Sequence, residues 1–474
     1  MGGKVLSVAS ESVPLVKTGG LADVVGALPA ALAPLGWQVR TILPAYRALR
    51  PHLAQMSVAL SLPDLFGGPA RVMAGQVAGL DLLLLDAPHL YDRTGGPYSD
   101  DKGDFPDNPQ RFAALSWVAA QIARDGMAGW KPDVLHGHDW QAGFAPAYLR
   151  YHGSGGAASV ITIHNIAFQG WADVALMDDL QLPRAAFTPD ALEYYGGLSS
   201  LKAALVTADA ITTVSPTYAG EIMRPEFGMG LEGVIAARAS DVLGILNGVD
   251  GAVWSPQIEP IPYAAQNMAG KAKNRAALLA DLNLKVDGPL AILVSRLTAQ
   301  KGIDLALEVL PEFLDAGGGL AVLGTGDPAF ELGLRALASR YPAQVSVKIG
   351  YDEGYSHRLF AGGDMVLVPS RFEPCGLTQM YGLAYGTLPV VAGVGGLADT
   401  VIHASPAALA AGAATGVVFS PVDALGFAGA LRRARALFDQ RDTWAKMQRT
   451  MMGADFGWAG PAREYCDLYQ RLIV

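Results

Sequence analysis

Cysteine is nearly absent. Two thiols in 474 residues, Cys375 and Cys466, cannot build a disulfide framework or a zinc cluster, and such a chain suits a reducing compartment. Long apolar runs are missing too. The stretches Tyr151–Ala172 and Ala404–Val422 carry no charge, but glycine, serine, histidine or proline breaks both, and neither is apolar enough to span a bilayer. Basic charge is in deficit: 35 Lys and Arg stand against 44 Asp and Glu, a net charge of −9, which argues against a general nucleic-acid binder. The opening MGGKVLSVASESVP has too short an apolar stretch before Glu11 for a secretory signal, and Leu6 stands where a myristoylation pattern needs Ser or Thr. The expectation is a cytoplasmic protein with neither a membrane nor a nucleic-acid partner.

Apolar residues are plentiful. At 51% hydrophobic and 17% charged the chain supports a large core and excludes wholesale disorder. The 56 glycines and 30 prolines show no period, which excludes collagen and fits a loop-rich α/β protein. The length suits more than one domain. Short apolar runs at Lys4–Ala9, Val39–Leu43, Leu80–Leu85, Asp133–His136, Ser159–His164 and Ala210–Val214 alternate with helical stretches at Leu21–Leu35, Pro109–Arg124 and Gln141–Arg150. Pro29 predicts a kink in the first of these helices. A second series starts near residue 290 with PLAILVSR, a helix over Gly302–Leu314, GLAVLG, and strands at Gln344–Ile349, Asp364–Pro369 and Leu388–Ala392. Strands alternating with helices mean βαβ units and a parallel sheet, here in two α/β halves. Prolines 256, 260 and 262 place an extended linker within Asp250–Asn267. The last stretch, Pro461–Val474, is amphipathic.

Several segments carry residues suited to chemistry. GGLAD occurs at Gly19–Asp23 and again at Gly395–Asp399, each where a loop enters a helix. Such a turn presents free N–H groups and the positive helix end to an anion, so two of them facing across a cleft suit a diphosphate. Lys17, beside Gly19 and Gly20, reads as a phosphate clamp or as a surface lysine near a turn. The segment is neither a P-loop nor GxGxxG. LHGHDW ends a strand, and open α/β sheets bind ligands at the carboxyl ends of their strands. His136, His138 and Asp139 there are open to three readings: metal ligands, a structural polar cluster, or an active-site role for Asp139. The spacing of the two histidines is expected to point them apart, which disfavours a metal site. His164 and Asn165, at the end of SVITIHN, suit a polyhydroxy ligand, or a buried histidine that caps its own loop. Arg296 and Lys301 bracket the first loop of the second half. Two cations at a helix start repel the dipole and each other, which suits a multiply charged anion better than stability. Glu373 is held between Phe372 and Pro374, just before a helix that opens at Gly376-Leu377-Thr378. Cys375 has no adjacent His or Asp to serve it as a nucleophile.

Taken in order, KTGGLADV, GHDWQAG, TIHNIAFQG, GILNGVD, VSRLTAQKGID, PSRFEPCGLTQ and GTLPVV…GGLADTV resemble the bacterial glycogen synthases of the ADP-glucose type and the plant starch synthases. The resemblance spans nearly the whole chain, from about residue 4 to residue 402. The resemblance implies a GT-B fold: two Rossmann-like domains whose parallel sheets face an interdomain cleft. Residues 1–253 are then the acceptor-side domain, 254–455 the nucleotide-sugar domain, and 456–474 a C-terminal helix returning to the first. It implies retaining transfer of glucose from ADP-glucose to the non-reducing end of an α-1,4-glucan, in glycogen biosynthesis, with no metal. Glu373, Asp139, His164, Arg296 and Lys301 take the catalytic roles. Lys17, Gly19, Gly20, Asn247, Tyr351, Cys375, Gly376, Leu377 and Thr378 fall on the donor side, and Tyr98 and Asn165 on the glucose or acceptor side. One position departs from the wider superfamily: eight residues after Glu373, where a second Glu is the pattern, stands Tyr381. A UDP-glucose or sucrose-directed transferase and a catalytically silent glucan-binding protein are the competing expectations.

Overall fold

The computed structural model describes residues 2–473. The chain divides into two compact units. The first comprises the chain up to Val214, Ala219–Gly248 and the stretch from Trp458; the second comprises Ser215–Tyr218 and Val249–Gly457. The sequence expectation put these joins after residues 253 and 455.

The first unit is built on a nine-stranded sheet of β1 (Lys4–Val8), β2 (Gln38–Pro44), β3 (Ser57–Leu62), β4 (Ala70–Val77), β5 (Leu80–Asp86), β6 (Val134–His138), β7 (Ala158–Ile163), β8 (Ala210–Thr213) and β9 (Val242–Gly244). Their spatial order is β9-β8-β7-β6-β1-β2-β5-β4-β3. Only β4 pairs antiparallel to its neighbours. Strands buried on both faces read as continuous apolar runs, and β5, LDLLLLD, is an example. The β3–β4 hairpin has no counterpart in the sequence reading, because β3 is largely solvent-facing and gives no such run. Helix α1 (Gly20–Leu32) follows β1, and helix α2 (Asn108–Asp125) precedes β6 and packs against both β1 and β6. The expected kink at Pro29 does not interrupt α1. The proline lies in the last turn, so it costs one hydrogen bond near the helix end, and the chain then tightens into a 3-10 turn at Ala33–Leu35.

The C-terminal helix, Ala459–Ile473, packs on this unit through its apolar face. Trp37 Nε1 donates to Cys466 Sγ at 3.3 Å and sits edge-on to Tyr469, with ring centroids 5.1 Å apart. Tyr469 also reaches the central sheet, where its hydroxyl bonds His136 Nδ1 at 2.7 Å.

The second unit has a six-stranded, wholly parallel sheet of β10 (Leu290–Val294), β11 (Gly319–Gly324), β12 (Val345–Ile349), β13 (Met365–Val368), β14 (Leu388–Ala392) and β15 (Val417–Phe419). The order is β12-β11-β10-β13-β14-β15. Helices α3 (Ile303–Asp315), α4 (Thr378–Tyr385) and α5 (Gly395–Thr400) follow β10, β13 and β14. The proline-rich segment after Gly248 is no free linker. Trp254 stacks on Tyr381 at 3.8 Å and on His357 at 4.2 Å. Glu259, buried, accepts from Tyr385 Oη at 2.5 Å and pairs with His357 Nδ1 at 2.8 Å. Among the described residues, no helix is long and apolar enough to cross a membrane.

Tyr469→Phe should lower the stability of the first unit by roughly 1–3 kcal/mol, because it leaves the buried His136 Nδ1 without a partner. Urea unfolding of the two proteins measures this, and coincident midpoints would show the bond to be idle.

Candidate active site

In an open parallel sheet the strand order reverses at one point, and the loops leaving the two central strands diverge there to leave a crevice. In the first unit that point lies between β1 and β6, paired from Val5↔Val134 to Val8↔Gly137. In the second it lies between β10 and β13. The charged candidates of each unit stand on the loops that leave these strands.

Beyond β1, the buried Glu11 organises the loop. Its Oε1 accepts from Thr18 Oγ1 at 2.6 Å and from the Tyr98 hydroxyl, and Oε2 accepts from the Thr18 N–H. Tyr98 also bonds Ser10 Oγ at 2.7 Å. The hydroxyl of Tyr98 is therefore committed to this strut. Lys17 Nζ pairs with Asp23 Oδ1 at 2.8 Å in a partly exposed bridge, a kind that contributes little and exchanges easily. A Cβ on Gly19 or Gly20 would meet no atom within 4 Å, so the space before the first turn of α1 is open. Asn247 is buried beside Gly248, where a Cβ would run into Trp458.

Beyond β6 stands Asp139, with φ 54° and ψ −168°, a backbone region costly for any residue but glycine. Its N–H donates to Thr162 O, and its Oδ1 accepts the amides of His164 at 2.6 Å and Asn165 at 3.3 Å. Burial pushes its carboxyl up to about 7, against the pull of those two amides. Asn165 Oδ1 turns back to the Ala167 N–H at 3.1 Å. The two histidines of β6 do not point apart. Residues two apart in a strand share a face, and the rings of His136 and His138 lie 4.2 Å apart. His136 bonds Tyr469 and Thr162, while His138 bonds Ser7 Oγ at 3.2 Å and His164 Nε2 at 3.0 Å. Burial pushes all three imidazoles down, His138 to about 3, so they are neutral. Among the described residues, no group of three or more His, Cys, Asp or Glu could hold a metal ion.

In the second unit the sequence-expected pair separates into two roles. Arg296 is exposed, and its guanidinium makes no hydrogen bond or ion pair among the described residues; only its carbonyl is bonded, by Thr298 N–H and Ser295 Oγ. Lys301 Nζ instead binds Glu373 Oε2 at 2.5 Å, and Ser370 Oγ donates to the same oxygen at 2.8 Å. Arg371 braces the neighbouring turn: Nη1 donates to Ala299 O and to Asp304 Oδ1, each at 2.7 Å, and Nη2 donates to Asp304 Oδ2 at 2.6 Å. Gly302 has φ +68°, and a Cβ there would lie 2.0 Å from Pro369 O, so only glycine lets the Lys301 turn approach the end of β13. Gly376, at φ +72°, turns the chain into α4; no side chain caps that helix at Leu377, leaving its first amides unspent by a cap. Thr378 opens α4, and Cys375 is buried beneath the turn.

The second GGLAD turn differs from the first. The Gly396 N–H donates to Glu373 O and Pro374 O, so it braces the Glu373 loop. Tyr381, which stands in the place of a second glutamate, forms the Trp254 stack. Tyr351 is largely exposed, with its hydroxyl on Glu353 at 2.8 Å. Glu11 and Ser370 were missed in the sequence. A Glu amid SES and a Ser three residues before a Glu carry no spacing signal; only contacts reveal them.

Residues 4–237 match the starch synthase catalytic domain, and residues 274–451 match the group 1 glycosyl transferases. The chain is 66% identical to a glycogen synthase of Cereibacter sphaeroides over 100% of this chain and 99% of that protein. It is 55% identical to a glycogen synthase of Paracoccus denitrificans over 99% of this chain and 100% of that protein. This chain belongs to the glycogen and starch synthase family. The catalytic domain of Starch Synthase IV from Arabidopsis thaliana, bound to ADP and acarbose, superposes with a TM-score of 0.88 at 30% identity, covering 100% of both chains. Membership makes the protein a glycosyltransferase with the two Rossmann-like domains of the GT-B class.

Asp139→Asn tests the cost of the buried carboxyl. Its folded value of about 7 lies above the ordinary 3.8, so the folded state binds more protons than the unfolded state between them. The stabilising contribution is complete below the lower value and is lost as pH rises through the upper. The wild type should lose on the order of a few kcal/mol between pH 4 and pH 8 that the Asn variant keeps. Urea unfolding at both pH values measures the difference, and parallel pH profiles would refute it.

Proposed function

We propose that the protein transfers glucose from ADP-glucose to the non-reducing end of an α-1,4-glucan with retention of the α configuration, as a glycogen synthase. Full-length identity of 66% to a glycogen synthase carries this proposal. The second-unit cluster supports it: an unpaired Arg296, a Lys301 held by Glu373, and uncapped amides at the start of α4 suit a leaving diphosphate. As that group departs, the anomeric carbon becomes cation-like. Cations and N–H dipoles set in advance toward the leaving oxygens are then the largest contribution to rate.

In this proposal Arg296, Lys301 and the Gly376–Thr378 turn bind the diphosphate, to which Lys17, Gly19 and Gly20 are also assigned. Glu373 and Asp139 offset the positive sugar, with His164 and Asn165 holding its hydroxyls. The departing phosphate takes the acceptor hydroxyl's proton, which removes the need for a Cys or Ser nucleophile. The side-chain cations Lys17, Arg296 and Lys301 do the work of a metal, so none is required. Asn247, Tyr351 and Cys375 are assigned to the donor side and Tyr98 to the glucose side.

A coupled ADP-release assay with ADP-glucose and UDP-glucose, with and without glycogen, tests the whole. Release should need both ADP-glucose and glycogen, and faster turnover with UDP-glucose would overturn the donor assignment. Lys301→Ala should lower turnover by roughly 10²-fold or more, the scale for one lost transition-state donor. It should also destabilise the second unit, because Glu373 is left buried and unpaired. Glu373→Gln should keep the fold and lose activity; a circular dichroism spectrum of an unfolded chain would argue for a structural role instead. EDTA should leave the rate unchanged, and inhibition reversed by added metal would contradict the metal-free proposal.

A further inference from the structure

Beneath the tip of β6 three side chains stand in line. Ser7 Oγ lies 3.2 Å from His138 Nε2, and His138 Nδ1 lies 3.0 Å from His164 Nε2. All three residues are buried. His164 Nδ1 ends the row and has no hydrogen-bond partner among the described residues. Distances do not show where the protons are, but counting them does. A serine hydroxyl has one proton, and among the described residues His138 Nε2 is the only partner of Ser7 Oγ. If Ser7 accepted from His138, its own proton would be left buried and unbonded, which is the disfavoured arrangement. Ser7 therefore donates and His138 Nε2 accepts. A neutral His138 then carries its proton on Nδ1 and donates it to His164 Nε2. Burial keeps His138 neutral, with its value pushed down to about 3. A neutral His164 that accepts on Nε2 must carry its proton on Nδ1.

We infer that Ser7 and His138 are positioning residues that fix His164 as its Nδ1–H tautomer, so that the ring presents a hydrogen-bond donor to a sugar hydroxyl. The second half of this inference rests on the proposed role of His164 at the substrate; the first half does not. The direction of donation has a chemical consequence. A hydroxyl that accepts from His164 keeps its own proton free for a neighbouring acceptor, and the Asp139 carboxylate, bonded to the His164 amide, adjoins it. The opposite tautomer would present a lone pair, and the hydroxyl's proton would be spent on the ring. Ser7 lies within β1 and His138 within β6, paired strands at the point of reversal, so the hydrogen-bonded ladder of the sheet sets the relay.

The test combines tautomer spectroscopy with kinetics. The full chain is labelled with ¹⁵N-histidine, and long-range ¹H–¹⁵N correlations are recorded, with a His164→Gln sample to identify the signal. His164 should show a protonated Nδ1 and a bare Nε2 in the wild type. Ser7→Ala should convert part of the His164 population to the other tautomer. It should also lower the turnover number roughly tenfold with little change in the Michaelis constant for glycogen, the scale of one misdirected hydrogen bond. Ser7→Thr, which keeps the hydroxyl, should restore both. A wild-type His164 protonated on Nε2 overturns the inference whatever the kinetics show. A Ser7→Ala protein with wild-type tautomer and rate overturns it as well. A wild type with the expected tautomer but no transfer to glycogen would leave the relay standing and refute the proposed function.

Discussion

A carboxylate withdrawn from water must find hydrogen-bond donors, and that constraint shapes both halves of this protein. Glu11 follows β1 and Glu373 follows β13, each beside the reversal point of its own sheet. Both are buried. Glu11 is met by the amide and hydroxyl of Thr18 and by Tyr98, and Glu373 by Lys301 and Ser370. In each case the donors belong to the loop that would face a ligand. The buried charge therefore determines where the neighbouring lysine, tyrosine and glycine turns stand, and a mutation of the carboxylate is felt as a displaced site.

Repetition of sequence did not bring repetition of use. The two GGLAD turns both open helices, yet the first leaves open space above its glycines while the second spends an amide on the Glu373 loop. The aspartates diverge as well. Asp23 bridges to Lys17, and Asp399 receives the amide and hydroxyl of Thr217. The same geometry at a helix start can serve a ligand or the protein's own chain, and the choice depends on whether a carbonyl is already within reach.

Burial acts in opposite directions on the polar groups at the tip of the first sheet. It raises the Asp139 carboxyl to about 7 and lowers the imidazoles, so neutral rings surround a carboxyl that is partly ionised near neutral pH. The second unit carries fixed charge on Arg296 and on the Lys301–Glu373 pair. A transferase that must release a diphosphate while steadying a sugar benefits from that division, since cations set near the sugar would oppose the charge that develops on it.

Much of this was legible in the residues alone. Alternating apolar runs and helical stretches specified two parallel-sheet halves, because a strand covered by helices on both faces must be apolar along its whole length. Motif spacing also located Lys17, Asp139, His164, Arg296, Lys301 and Glu373 at loop positions, because the ends of parallel strands are where such loops begin. Tertiary structure decided who meets whom. The β3–β4 hairpin, the Trp254–Tyr381 stack and the shared face of His136 and His138 were not foreseen, and Glu11 gave no sign of its task. Partners such as Lys301 and Glu373, 72 positions apart in the chain, become neighbours only when the sheet brings their strands side by side, and linear order holds no record of that proximity.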